Sequence, residues 1–175
     1  MIHLVTGGAR SGKSSFVLNL MESATVENPV HFIATAQALD PDMADRIARH
    51  KQERGPHYRT IEAPIAVAEA VCELRARRDQ TLLIVDCLTM WVSNLLFTDY
   101  TDEAMYAEFD RLAAALAVPE VSAAVVTNEV GWGIVPGDPI SRRYRDLLGR
   151  CNQRFARGAA QVTLLVAGVP LRIVT

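Results

Sequence analysis

The sequence is short of cysteine, of net charge and of long apolar runs, and each shortage closes off a class of function. Its three cysteines, Cys72, Cys87 and Cys151, stand far apart and form no Cys-x-x-Cys pair. An odd number of them, with no signal peptide, points to a reducing, cytoplasmic setting. Each cysteine is then expected to be a small buried apolar residue rather than a ligand or a nucleophile. The formal net charge is −2, so no strong field draws in nucleic acid or an anionic membrane, and any anion binding must be local. No apolar stretch is long enough to span a bilayer. The first apolar run is too short for a targeting segment and leads straight into glycines. Internal repeats, low-complexity tracts and linkers are missing as well. The 175 residues, half of them hydrophobic, are therefore expected to form a single domain, 1–175, with a sizeable core.

What is present starts with the run Ile2-His3-Leu4-Val5-Thr6. Gly7-Gly8-Ala9-Arg10-Ser11-Gly12-Lys13-Ser14 follows at once and matches G-x-x-x-x-G-K-[ST], and Ser15 to Met21 reads as a helix. Strand, glycine loop and helix in that order form a phosphate-binding loop. The glycines let the backbone wrap and aim its N–H groups at phosphate oxygens, and the helix N-terminus adds partial positive charge. Lys13 is expected to reach the β- and γ-phosphates of a bound triphosphate, and Ser14 to offer its hydroxyl to Mg²⁺.

Further along, apolar runs alternate with helical patterns. Strands are expected at Val30 to Thr35, Tyr58 to Ile61, Leu82 to Val85, Ala123 to Thr127, Gln161 to Val166 and Leu171 to Val174. Of these, Leu82 to Val85 is the most apolar and is expected to be central. Helices are expected at Asp42 to Glu53, Ile65 to Arg78, Met90 to Phe97, Glu103 to Ala117 and along the apolar stripe Ile140, Tyr144, Leu147, Leu148, Cys151 and Phe155. Gly168 and Pro170 mark a turn into a last edge strand running antiparallel. Continuous apolar strands between helices argue for an α/β fold with a mostly parallel sheet covered on both faces. Ligands then gather at the carboxyl ends of the strands. That rule assembles Gly7 onward, Ala34-Thr35-Ala36, Glu62, Asp86 and Thr127-Asn128-Glu129 into one region.

Asp86 closes an apolar strand, the position of a metal-assisting acid in nucleotide-hydrolysing folds; a helix cap is the plainer reading. Thr127-Asn128-Glu129 is read equally as a phosphate sensor, an acceptor-orienting group or a self-satisfied strand end. It is not N-K-x-D, which argues against a guanine-reading switch. His50 shares a helix face with Arg46 and Arg54; residues alone favour a solvated basic face over a triphosphate clamp. Among the arginines of the 140–157 helix most are expected at a solvated face, with one or two able to reach phosphates.

Together these residues resemble one family, the bifunctional adenosylcobinamide kinase / adenosylcobinamide-phosphate guanylyltransferase of cobalamin biosynthesis. The resemblance covers essentially the whole chain. It rests on Thr6 to Ser14, Phe32 to Ala36, Met43, Arg46-Ile47 and His50, Arg59 to Glu62, Asp86 to Thr89, Thr127 to Pro136 and Gly149 to Gln153. The phosphate loop is generic, whereas Thr-Asn-Glu-Val-Gly-x-Gly-Ile-Val-Pro together with Arg-Ile-x-x-His is much more specific. Tyr58 stands where a Trp is common, and Asp86 where some relatives carry Glu.

The resemblance implies a P-loop fold and two reactions. A kinase step phosphorylates the aminopropanol hydroxyl of adenosylcobinamide with ATP or GTP. A transferase step moves GMP from GTP to that phosphate, through a guanylyl-histidine at His50, giving adenosylcobinamide-GDP and pyrophosphate. It implies nucleotide contacts from Gly7, Gly8, Ala9, Arg10, Ser11, Gly12, Lys13 and Ser14, from Ala34, Thr35 and Ala36, and from Lys51, Arg54, Glu62 and Asp86. It implies Mg²⁺ at Ser14 and Asp86, and a homo-oligomer on the trimeric pattern of the family. Two other readings compete with it: a single-activity P-loop small-molecule kinase with an inert His50, and a nucleotide-dependent switch.

Overall fold

Residue type sets the strands. Leu83, Ile84 and Val85 are buried in succession, with Leu83 and Val85 facing one apolar cluster and Ile84 another, as a strand covered on both faces requires. The computed structural model describes residues 1–22, 29–52, 54–77 and 81–173, apart from the Arg46 side chain. The helix ends expected at Glu53 and Arg78 and the strand end at Val174 lie outside the described residues.

In chain order the elements are β1 (Ile2–Gly7), α1 (Lys13–Glu22), β2 (Val30–Ala34), α2 (Pro41–Gln52), β3 (Tyr58–Glu62), α3 (Val67–Arg75) and β4 (Thr81–Asp86). They continue with α4 (Leu88–Leu96), α5 (Asp102–Leu116), β5 (Val121–Val126), α6 (Pro139–Gly158), β6 (Gln161–Val166) and β7 (Val169–Ile173). A single turn of 3₁₀-helix, Val130–Trp132, lies between β5 and α6. The seven strands form one sheet in the order β3-β2-β4-β5-β1-β6-β7. All neighbours are parallel except β6 and β7, which pair antiparallel. The expected mostly parallel sheet with one antiparallel edge strand is thus present. β4 is interior, but β5 takes the middle place.

The two faces are unequal. Buried residues of α3, α4, α5 and α6 share one large cluster with Ile2, Leu4, Leu83, Val85, Ala123 and Val125. On the other face Val17 and Met21 of α1 cover Val5, Phe32, Ile84, Ala124 and Val126. Trp91 anchors the large cluster; its Nε1–H donates to the Ile65 carbonyl at 2.8 Å, and its ring meets Phe109 edge-on at 5.6 Å. Both rings are fully buried, and burial with this geometry is among the larger stabilising contributions a side chain makes.

Two helices begin two residues earlier than residue pattern suggested. α1 starts at Lys13, so the last loop residues already carry helical backbone. α4 starts at Leu88, which is fully buried, because it packs into the large cluster. The cysteines divide. Cys151 is buried as expected, whereas Cys72 is exposed on α3, turned away from the face that buries Val71 and Leu74. Cys87 lies between these extremes.

Two arginines of α6 are tied to α5 by ion pairs. Arg143 pairs with Asp102 at 2.7 Å and Arg154 with Asp110 at 2.9 Å, both on α5. Arg154 also lies over the Tyr106 ring at 4.7 Å. These contacts join α5 to α6 across the rim of the core.

Truncating Phe109 to Ala removes the ring that Trp91 and Tyr106 both touch. The expected loss is about 3–5 kcal/mol of stability, read as a lower midpoint in urea unfolding. An unchanged midpoint would contradict the central place given to this ring.

Candidate active site

The phosphate loop leaves β1 at Gly7, where φ is 150°. A Cβ there would stand 2.5 Å from the Leu165 carbonyl oxygen and 2.7 Å from Ser11 Oγ, so only glycine lets β1 run this close to β6. Gly12 turns the chain into α1 with φ 92°, again a glycine conformation. Neighbouring strand ends hold the loop. The Glu129 N–H donates to Gly7 O at 3.3 Å, and the Gly168 N–H to Ser11 O at 3.0 Å. Lys13 is buried and folds back over the loop, donating to Gly8 O at 2.6 Å, to Gly7 O at 3.2 Å and to Ser11 Oγ at 3.4 Å. Its ammonium group therefore sits inside the curve of the loop, where a phosphate would be held.

The other candidate residues form a line across the sheet. Ala34 is in register with Glu62 on one side and Asp86 on the other. Asp86 is in register with Val126, and Val126 with Val5. The line thus runs from β3 to β1, two residues short of Gly7. Four strand steps of about 4.8 Å place the β3 end roughly 19 Å from the loop.

Lys51 in the last turn of α2 and Arg54 just beyond the helix dock on this line at β3 and β2. Lys51 Nζ is 2.6 Å from Glu62 Oε1. Arg54 donates through Nε to His50 O at 2.8 Å and through Nη1 to Thr60 Oγ1 at 3.1 Å, and its guanidinium covers the Phe32 ring at 3.9 Å. His50 is carried in the last turn of α2, half-buried. Two groups are shifted here. The Lys51 hydrogen bond and charge hold the Glu62 carboxyl below its usual range. Burial lowers the Arg54 pKa, opposed by the Asp86 carboxylate, so Arg54 and Asp86 feel each other across the line.

Thr35 is a staple. Its hydroxyl donates to Cys87 O and accepts from the Cys87 N–H, each at 2.8 Å, while its own N–H donates to Asp86 O and its carbonyl accepts from Asn94 Nδ2. Burial, reinforced by Asp86, pushes the Cys87 thiol up to about 11, which keeps it protonated and not nucleophilic near neutral pH. Thr127 and Asn128 are likewise committed. Thr127 Oγ1 donates to Asn152 Oδ1 at 2.7 Å, Asn152 Nδ2 donates to Asn128 O, and the Asn128 N–H donates to Thr89 Oγ1 at 3.0 Å. Glu129 instead faces β1, where Thr6 Oγ1 donates to its Oε1 at 2.8 Å.

With this geometry in place, comparison decides the family. The family described as CobU, cobinamide kinase / cobinamide phosphate guanyltransferase, matches residues 3–173. The chain belongs to this family. It is 41% identical over 172 residues to the bifunctional adenosylcobalamin biosynthesis protein CobP of Pseudomonas aeruginosa, covering 98% of this chain and 96% of that protein. It is 40% identical over 185 residues to the CobU protein of Salmonella typhimurium, covering 99% of each, and 38% identical to that of Escherichia coli, again over 99% of each. Among solved structures it resembles an ATPase domain, with a TM-score of 0.53 at 9% identity, over 93% of this chain and 68% of that one. A type III secretion ATPase aligns with a TM-score of 0.54 at 13% identity, over 94% of this chain and 51% of that one. These two show the fold, that of P-loop ATPases.

For a member of the cobinamide kinase / guanyltransferase family the grouping has clear limits. Gly7 to Ser14, Ala34, Ala36, Glu62 and Asp86 come together at one sheet edge, and Lys51 and Arg54 join them through contacts with β3 and β2. Arg143 and Arg154 of α6 do not, since both pair with carboxylates of α5. Sequence reasoning gave no role to Thr6, Asn94 or Asn152. The usable signal was a lone amide in an otherwise apolar helix face: Asn94 in Leu88–Leu96, Asn152 beside Cys151 and Phe155. An amide of this kind, half-buried at Asn94 and buried at Asn152, is kept for a specific hydrogen bond.

Gly7→Ala is expected to displace the loop and lower nucleotide-dependent activity by roughly a hundredfold, measured as initial rates with folding checked by circular dichroism. The Lys51–Glu62 pair also fixes a pH dependence. The folded pKa of Glu62 lies below its ordinary value, so the pair stabilises the docked α2 end above that ordinary value and loses this effect as pH falls through the folded pKa. Lys51→Ala is expected to raise the Glu62 titration midpoint, followed by carboxyl NMR; an unmoved midpoint would show that the pair does not form in solution.

Proposed function

We propose that this chain catalyses both reactions of its family at one nucleotide seat: ATP- or GTP-dependent phosphorylation of adenosylcobinamide, then GMP transfer from GTP to the resulting phosphate. The observation that carries this reading is the register line. It joins the phosphate loop to Asp86, Ala34 and Glu62, and the basic end of α2 docks on the same line. A nucleoside triphosphate laid along it has its terminal phosphates in the Gly7–Ser14 loop and its base toward β2 and β3. Lys13 exchanges its loop carbonyls for phosphate oxygens. Ala34 and Ala36 provide the backbone beside the nucleoside, while Thr35 keeps the strand end in shape.

In the kinase step the acceptor hydroxyl oxygen attacks the γ-phosphorus, the bond to the β–γ bridging oxygen breaks, and nucleoside diphosphate leaves. In the transferase step an imidazole nitrogen of His50 attacks the α-phosphorus of GTP, and pyrophosphate leaves with the α–β bridging oxygen. The corrinoid phosphate then attacks the same phosphorus and frees His50. Two displacements replace one difficult transfer. Lys51 and Arg54, docked at β3 and β2, supply positive charge at the nucleoside end of the row.

Ser14 and Asp86 offer hydroxyl and carboxylate oxygens, hard donors of the kind Mg²⁺ prefers. Among the described residues no cluster of three or more His, Cys, Asp or Glu is placed to hold a metal ion, which suits an ion held largely by phosphate oxygens. Mg²⁺ bound there would offset phosphate charge during both transfers. We place the enzyme in the cytoplasm as a single catalytic domain assembled into a homo-oligomer, with the trimer as the family pattern. Among the described residues no helix is long and apolar enough to cross a membrane.

Incubation with α-labelled GTP and Mg²⁺ is expected to leave acid-labile, hydroxylamine-resistant label on the protein, as a phosphoramidate does. His50→Ala is expected to lose the label and guanylyl transfer but keep most kinase activity, whereas Lys13→Ala weakens both. Cobinamide phosphorylation without protein labelling would leave a plain kinase with an inert His50.

A further inference from the structure

The surface next to the phosphate loop carries an apolar segment that no step above uses. Trp132 is 72% exposed, Ile134 97%, Val135 59% and Ile140 48%. Exposed apolar residues are ordinary when scattered singly; several large ones in one short segment mark a place where something binds. The segment is held at both ends. At its root, Glu129 bonds to Thr6 and, through its N–H, to Gly7 of the phosphate loop. At its far end Arg142 donates to Pro136 O at 2.9 Å and to Gly137 O at 2.6 Å, and Asp138 caps α6 by accepting from the Ser141 N–H at 2.8 Å. The residues between present their side chains from a fixed base.

Position narrows the occupant. The segment rises from β5, which lies between β1, ending in the phosphate loop, and β4, ending in Asp86. Both proposed reactions bring the same corrinoid to this row, to the γ-phosphorus in one and the α-phosphorus in the other. A seat between the two strand ends serves both. A corrinoid is a large, rigid ring, and an exposed indole with branched aliphatic neighbours offers it flat apolar surface. We infer that Trp132, Ile134 and Val135 form the seat for the acceptor's macrocycle. The inference rests on the function proposed above. A second apolar surface, Val169, Leu171 and Ile173 on β7, is also exposed but lies at the sheet margin and serves as a control.

The test is equilibrium dialysis of cobinamide, followed by its own visible absorbance, against the full chain and the variants Trp132→Ala, Ile134→Ser and Leu171→Ser. Nucleotide affinity and sedimented mass are measured on the same samples. Trp132→Ala and Ile134→Ser are expected to weaken cobinamide binding by about tenfold or more, with nucleotide affinity and mass unchanged and Leu171→Ser behaving as the parent. Cobinamide affinity unaffected by either substitution overturns the seat, while phosphorylation of cobinamide by the parent chain leaves the proposed function standing. Loss of binding together with a fall in mass overturns it too, and assigns the surface to contact between copies. A parent chain that neither binds nor phosphorylates cobinamide overturns the proposed function, and the seat with it.

Discussion

The close approach of β1 to β6 at Gly7 is the constraint on which the site depends. There is no room for a Cβ between the loop and the Leu165 carbonyl, so the loop is set by backbone against backbone. Glu129 on one side and Gly168 on the other complete the clamp through their own N–H groups. A phosphate loop fixed in this way keeps its N–H groups pre-aimed, and pre-aimed dipoles act on a developing charge without reorganising when it forms. The chain's overall charge is close to neutral, so whatever the loop offers an anion comes from these local dipoles and from Lys13.

The sheet then acts as a ruler. Register places Glu62, Ala34 and Asp86 in one row, and rigid strand spacing fixes how far each lies from the loop. α2 is joined to this ruler differently from the other helices. None of its described side chains is buried; an ion pair, a guanidinium over a ring and a few hydrogen bonds hold its basic end. The large cluster under α3 to α6 provides the stability, and the thinly covered opposite edge provides the reactive groups. Such a division is common where function needs access that a fully packed surface does not allow.

Much of this was legible in residue order. The phosphate loop, the strands and the rule that ligands gather at carboxyl strand ends together named residues that do meet at one sheet edge. Strand order was not legible, because parallel neighbours are joined through helices and nothing local says that β1 inserts between β5 and β6. For the same reason the Thr6–Glu129 bond was hidden; its partners are 123 positions apart. Arg143 and Arg154 could not be told apart in sequence from arginines free to reach phosphates, because the carboxylates that take them, Asp102 and Asp110, belong to a different helix. Cys72 looked like a buried apolar residue by type, yet its place on α3 faces outward. Composition describes how often a residue is buried, whereas helix phase decides whether it is.

The clamp has one more consequence, for the order in which the molecule is made. Residues 7–14 leave the ribosome early, but the groups that fix them, Glu129, Leu165 and Gly168, are added far later. Until then the loop has a sequence but no shape, and neither β5 nor β6 is present to flank β1. Contacts of such long sequence separation form late and cooperatively. Competence to hold a triphosphate therefore arrives with closure of the last hairpin, so that an incomplete chain carries the motif without the site.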